Sequence, residues 1–307
     1  RLQTRSGVVA QASRLQFWLR LTERMQAGGL RYKGARKGQT MVDRDPLFRI
    51  IDGEGEPLLL CNGIAMSVPS WEVMAAPLSE HYRVVRFDFR GQLLSPGIPP
   101  DDVAEHAEHV VALLDHLGIE SAHLVSTSFG GAIAALVAAR FPERARSLIS
   151  IASADGFDGV MAAEVLRWRQ GCVDSLESGD RGLISDVLEP VVYSPGYLAT
   201  HQDDRALRRT QIAALPEDWF RGLIGLLDST PSVVLADELA HVRCPTLIVA
   251  SELDGFIPLE RTRALAESIP GARFEIVEGA GHAVVVEQPE RLVELCLVFL
   301  AGLNSQC

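Results

Sequence analysis

From Phe48 onward, short apolar runs alternate with longer amphipathic stretches, and this rhythm restricts the possible folds more than any other feature of the chain. Short runs that are apolar throughout suit strands covered on both faces, and the stretches between them suit helices laid over a sheet. Leu58–Cys61, Val84–Asp88, His123–Ser126, Ser147–Ile151, Thr246–Ser251 and Phe274–Glu278 read as strands. The expected class is therefore α/β, with a mainly parallel central sheet and helices on both faces. Asp101–Leu117 and Gly130–Phe141 carry apolar residues at helical spacing, the second nearly apolar throughout and ended by Pro142, so it should be central and buried. From Asp155 to Leu239 the strand rhythm stops, and helical segments punctuated by Gly179, Pro190, Pro195, Pro216 and Pro231 replace it. The expected organisation is a core of residues 46–154 and 240–307, with residues 155–239 inserted as a helical cap.

At 307 residues and 47% hydrophobic composition, the chain can bury a core of that size. Its formal charge of -11 argues against a nucleic-acid partner, since neutralising phosphates takes a surplus of Lys and Arg. The charge is uneven. Residues 1–40 hold nine basic residues against one acid, which leaves 20 basic and 39 acidic residues for the rest. Residues 1–45 form a basic extension, expected to be helical over Val8–Met25, where Leu15, Trp18, Leu19 and Leu21 alternate with Arg14, Arg20 and Arg24. That segment could pack on its own domain or touch a surface or partner. The five cysteines are widely spaced with no C-x-x-C pair, which points to neither a disulfide framework nor a zinc site. No apolar run is long enough to span a bilayer and none reads as a signal peptide, so a cytoplasmic protein is expected.

Chemistry concentrates after three of the expected strands. His123–Ser126 runs into Ser126-Thr127-Ser128-Phe129-Gly130-Gly131 and at once into the apolar helix, the strand, turn and helix context of a nucleophile elbow. A serine there sits by the helix N-terminus, where amide N–H groups favour developing negative charge. Ser126 stands where the common pattern has its first Gly. After Thr246–Ser251 comes Glu252-Leu253-Asp254-Gly255-Phe256-Ile257-Pro258, and after Phe274–Glu278 comes Gly279-Ala280-Gly281-His282.

In these motifs, which come in the chain order Ser, Asp, His, the sequence resembles the α/β-hydrolase superfamily over roughly residues 48–303. The resemblance implies Ser128 as nucleophile, His282 as general base and acid, and Asp254 as the carboxylate that orients the imidazole. Glu252 is the competing acid, but the Gly-x-x-Pro that follows Asp254 fits the family pattern better. Cys61-Asn62-Gly63-Ile64 stands where family members commonly carry His-Gly. By resemblance it supplies one oxyanion donor, the Ile64 amide, with the Phe129 amide as the second. Asn62, Met66 and Trp71 are the expected pocket residues. Phe87-Asp88-Phe89-Arg90-Gly91-Gln92 resembles the family's D-x-R-G turn, structural in most members. His106 and His109 lie among acids on the Asp101–Leu117 helix and are expected on its solvated face.

The implied activity is carboxylic-ester hydrolysis of the esterase, lactonase or thioesterase kind, through an acyl-enzyme, on a small-molecule ester or acyl substrate with an apolar acyl group. No cofactor and no metal are expected, because no phosphate loop, nucleotide fingerprint or metal-ligand spacing accompanies the motifs. Two alternatives remain open. Asn62-Gly63 and Ser126-x-Ser128-x-Gly130 together look like the hydroxyacyl transferases that supply rhamnolipid or polyester precursors, and carbon–carbon bond hydrolases use the same constellation. Dehalogenase and epoxide-hydrolase chemistry is disfavoured, since those relatives place Asp where this chain has Ser128.

Overall fold

The structure, a computed structural model, describes residues 47–304, so the expected N-terminal helix lies outside the described residues. Seven strands build one sheet: β1 (Arg49–Asp52), β2 (Pro57–Cys61), β3 (Arg83–Phe87), β4 (Ala122–Thr127), β5 (Ala145–Ile151), β6 (Thr246–Ser251) and β7 (Arg273–Val277). Their spatial order is β1-β3-β2-β4-β5-β6-β7, and every neighbouring pair is parallel except β1 with β3. β1 was not anticipated as a strand. It is a short, half-buried edge strand, so it lacks the continuous apolar run that marked the interior strands.

Successive strand residues point to opposite faces, and the two halves of the core follow that alternation. On one face Leu59, Val85, Leu124, Leu148 and Ile248 meet helices α2 (Val103–His116), α3 (Phe129–Arg140) and α9 (Leu259–Glu267). On the other, Leu58, Val84, Val125, Ile149, Leu247 and Val249 meet α1 (Glu72–Leu78) and α11 (Pro289–Asn304). Helix α3 is buried all the way from Phe129 to Ala139, in keeping with its unbroken apolar sequence.

The α2 helix brings a correction. His106 faces inward, fully buried, with edge contacts to Phe89 and Phe129 at 5.5 and 5.6 Å, and His109 is partly buried beside it. Counting from Val103, positions 106, 107, 110, 113 and 114 form the apolar stripe, so helical spacing outweighed the flanking acids. Burial pushes the His106 imidazole down to about 3, which keeps it neutral inside this aromatic cluster.

Between β5 and β6 run five helices: α4 (Gly159–Ser178), α5 (Leu183–Val192), α6 (Pro195–Thr200), α7 (Gln202–Ala213) and α8 (Glu217–Ser229). Gly179 ends α4 in a left-handed conformation, φ 78°, which glycine adopts without strain. Their apolar faces gather Trp168, Cys172, Ile184, Leu188, Trp219, Phe220 and Leu223 into a third core, joined by Leu93, Phe256 and Ile257 from loops at the carboxyl ends of the strands. The short helix α10 (Val284–Glu287) follows the β7 loop. Among the described residues, no helix is long and apolar enough to cross a membrane.

Candidate active site

Parallel strands end on the same side of a sheet, so loops far apart in sequence meet there. β4 ends at Thr127 and α3 begins at Phe129, leaving Ser128 as the single residue of the turn, with φ 52° and ψ −123°. A non-glycine residue tolerates that conformation only where its surroundings hold it. They do. The Ser128 amide donates to the Ile151 carbonyl (2.9 Å) and Ser153 Oγ donates to the Ser128 carbonyl (3.0 Å). Gly130 allows the helix start to press onto β2, for a Cβ there would overlap the carbonyl oxygens of Cys61 and Asn62. Ser126, in place of the more common Gly, is fully buried and donates its hydroxyl to the Ile149 carbonyl at 3.0 Å, so its extra atoms are hydrogen-bonded.

The β6 and β7 loops are tied to one another. Glu252 N donates to Val277 O (3.0 Å) and Leu253 N to Ala280 O (2.8 Å). The result places Asp254 Oδ2 2.8 Å from His282 Nδ1, and His282 Nε2 3.0 Å from Ser128 Oγ. The other oxygen of Asp254 accepts the amides of Phe256 (2.9 Å) and Ile257 (2.8 Å), which fixes the carboxylate in place. A carboxylate at Nδ1 favours the tautomer with its proton there, leaving Nε2 to accept from the Ser128 hydroxyl. Glu252 is exposed, and its Oε2 accepts the Gly279 amide at 2.7 Å, so it braces the His282 loop away from the imidazole. A further brace is Glu287 on α10, whose Oε2 accepts from Ser194 Oγ (2.6 Å) and the Gly281 amide (3.2 Å) while Oε1 accepts the Ser194 amide (2.8 Å).

Ile64 lies on the wall of the cavity that Ser128 and His282 open into, and the Phe129 amide belongs to the first turn of α3, where helix geometry supplies no i−4 acceptor. Of the three expected pocket residues, Met66 is on that wall, whereas Asn62 and Trp71 lie behind it, fully buried. Trp71 Nε1 donates to Asn62 Oδ1 (2.7 Å), and Asn62 Nδ2 donates to Asp88 Oδ1 (3.1 Å) and Gln92 Oε1 (2.8 Å). Gln92 Nε2 in turn donates to the Gly63 carbonyl at 2.8 Å. The D-x-R-G turn and Asn62 thus form one polar network that holds the Gly63-Ile64 loop from behind. Asn62, Trp71, Asp88 and Gln92 satisfy one another there and do not line the cavity. Asp88 is its hub, also accepting Ser67 Oγ, Val68 N and Leu94 N, and burial pushes its carboxyl up to about 6 against the pull of those donors.

The cavity itself measures about 260 Å³ and is mostly apolar, walled by Leu93, Leu188, Val192, Ile212, Leu215 and Trp219 among others. Two side chains in that wall, Glu189 and Arg208, are charged. The sequence reading assigned none of the α4–α8 residues to the site. α5 and α8 are strongly amphipathic, a pattern that implies buried faces without saying what those faces enclose. Among the described residues, no group of three His, Cys, Asp or Glu side chains gathers as a metal site would require.

With seven strands in this order and these loops meeting at one edge, the molecule has the architecture of a hydrolase. The chain belongs to the alpha/beta hydrolase fold family, whose model matches residues 56–289. It is 30% identical to a pimeloyl-[acyl-carrier protein] methyl ester esterase of Aeromonas hydrophila, over 79% of this chain and 94% of that protein. It is also 30% identical to a 2-hydroxymuconate semialdehyde hydrolase of Pseudomonas sp. strain CF600, over 82% of this chain and 89% of that one. Among solved structures, an alpha/beta hydrolase enzyme from a Medee basin deep-sea metagenome library superposes with a TM-score of 0.77 at 24% identity, covering 83% of this chain and 94% of that one.

Proposed function

We propose that the protein hydrolyses carboxylic esters, lactones or thioesters through an acyl-enzyme on Ser128. The observation that carries this reading is the hydrogen-bonded line from Asp254 through His282 to Ser128 at the floor of an apolar cavity. Ser128 Oγ attacks the substrate carbonyl while His282 Nε2 takes its proton, and Asp254 stabilises the imidazolium that forms. The Ile64 and Phe129 amides meet the developing oxyanion. Collapse of the tetrahedral intermediate expels the alcohol or thiol, protonated by His282, and leaves the acyl group on Ser128. Water activated by the same Nε2 then releases the acid. Residues 155–239 act as a cap between core segments 46–154 and 240–307, and their apolar faces receive the acyl group.

Hydrolysis of p-nitrophenyl esters of increasing chain length tests this directly. Ser128→Ala should lower the rate by at least about 10³-fold with the melting temperature nearly unchanged, since triad members act as a unit. Undiminished turnover in that variant would exclude Ser128 as nucleophile. A burst of one equivalent followed by near silence would instead favour transfer of the acyl group to an acceptor other than water. A carbon–carbon bond hydrolase is the second reading, favoured by the similarity to the 2-hydroxymuconate semialdehyde hydrolase. It predicts inert esters and Ser128-dependent hydrolysis of 2-hydroxymuconate semialdehyde.

A further inference from the structure

Two hydrogen-bond donors on the wall of the cavity have nothing to donate to. Arg208 Nη2 and Trp168 Nε1 are both buried without a hydrogen-bond partner, and both residues line the cavity that holds Ser128 and His282. A buried donor left unpaired carries its full desolvation cost, which a ligand oxygen reaching it from the cavity would offset.

The rest of the Arg208 side chain is fixed. Its Nε donates to Glu189 Oε1 at 2.9 Å, and the guanidinium carbon lies 4.8 Å from the Tyr193 ring centroid and 5.9 Å from that of Tyr197. Glu189 Oε1 also accepts from Ser185 Oγ at 3.2 Å, while Oε2, which has no hydrogen-bond partner, forms an ion pair with Arg205 Nε at 3.2 Å. Arg205 in turn faces Asp186 at 3.7 Å on the more exposed side of the cluster. Glu189 therefore holds the guanidinium through Nε, and Nη2 is left without a partner in the protein. A planar guanidinium with a free terminal N–H matches a carboxylate better than a carbonyl or hydroxyl, because it offers charge and a fixed fork together.

We propose that Arg208 is a specificity-determining residue that binds a carboxylate carried by the acyl portion of the substrate, away from the reacting carbonyl. The inference rests on the ester-hydrolase reading and narrows its substrate class to half-esters of dicarboxylic acids or their thioester and lactone equivalents. Arg208 touches neither Ser128 nor the reacting atoms in this role. It sets which acyl groups are held while the chemistry proceeds.

The test uses two matched series of p-nitrophenyl esters, from four to ten acyl carbons, one ending in methyl and the other in carboxylate. In the wild type, kcat/KM for the best carboxylate-ended ester should exceed that of its methyl-ended match. A preference for the methyl series at every length would overturn the proposal. In Arg208→Met combined with Glu189→Gln, which leaves no buried carboxylate without its partner, the carboxylate-to-methyl ratio should fall roughly ten- to a hundredfold. Arg208→Lys, which keeps the charge and loses the fork, should fall between the two. An unchanged ratio in both variants would also overturn it. Ser128→Ala run on both series separates the two levels of the argument. If that variant keeps full activity, the nucleophile assignment fails. If it is inactive while the ratio ignores Arg208, the subsite alone fails.

Discussion

At the scale of single residues, Asp88 is a carboxylic acid enclosed by hydrogen-bond donors and cut off from water. Its carboxyl is fully buried and pushed up to about 6 from the usual 3.8, with loss of hydration outweighing four hydrogen-bond donors. Because the folded state binds this proton more tightly than the unfolded chain does, Asp88 favours folding most below about pH 4. That contribution is lost as the pH rises from about 4 through about 6. A shift of this size corresponds to about 3 kcal/mol. Urea unfolding at pH 4 and pH 6.5 should show the wild type losing stability from this source, and Asp88→Asn should lack that component although it is less stable overall. An identical pH dependence in both proteins would assign it elsewhere. The same neighbourhood shows which residues the sequence leaves illegible. Ser128, Asp254 and His282 each follow an apolar run in a recognisable turn, so local pattern sufficed to single them out. Asn62 and Trp71 also sit in such a pattern, but their partners Asp88 and Gln92 come from another strand-end loop, and that pairing decides that they face inward instead of the cavity. His106 is different, since spacing from Val103 would have placed it on the buried stripe had the acids beside it not been weighed more heavily.

At the scale of elements, legibility follows burial. Interior strands of a parallel sheet are apolar throughout and stand out, while β1, four residues long and half exposed, does not. Beyond its ladder with β3, β1 is tied to the sheet by a buried cation, Arg86 on β3, paired with Asp52 of β1 and Glu72 of α1, a long-range arrangement that carries no local signature. Glu287 plays the corresponding part between α10 and the segment before α6. Its carboxylate joins Ser194 to Gly281, the residue before His282, and the Ala283 amide reaches the Val192 carbonyl at 2.7 Å. Replacing Glu287 by Gln turns one acceptor oxygen into a donor facing N–H groups. The expected cost is about 1–3 kcal/mol of stability, with kcat reduced about tenfold as His282 loses its register. Ester turnover and a urea melt on the same preparation check both parts. Full kcat with lowered stability would mean that the clamp serves the fold and not His282.

At the scale of the whole molecule, the question is how closely the helical layer between β5 and β6 sits on the sheet, since that closeness sets the size of the cavity. The contact is made without side chains at one point. A Cβ on Gly222 of α8 would overlap the carbonyl oxygen of Gly91, in the turn that follows β3, and one on Gly225 would press on Pro99. Glycine at position 222 thus lets helix and turn meet backbone to backbone at Gly91, the residue before Gln92, which anchors the Gly63-Ile64 loop. Gly222→Ala forces either the helix or the turn to move. The core under α1 and α11 takes no residue from α8 or that turn, and the core on the opposite face takes Leu226 and Phe89, whereas Leu215, Trp219 and Leu93 on the cavity wall lie on or beside the elements that must separate. The variant should therefore fold with a stability loss of about 1–3 kcal/mol and show a higher KM for short esters. Its chain-length optimum should shift toward longer acyl groups as the cavity opens. A profile superimposable on that of the wild type would mean that α8 gives way locally and that acyl size is set elsewhere on the wall, at α5 and α7, where Leu188, Val192 and Ile212 face the same space.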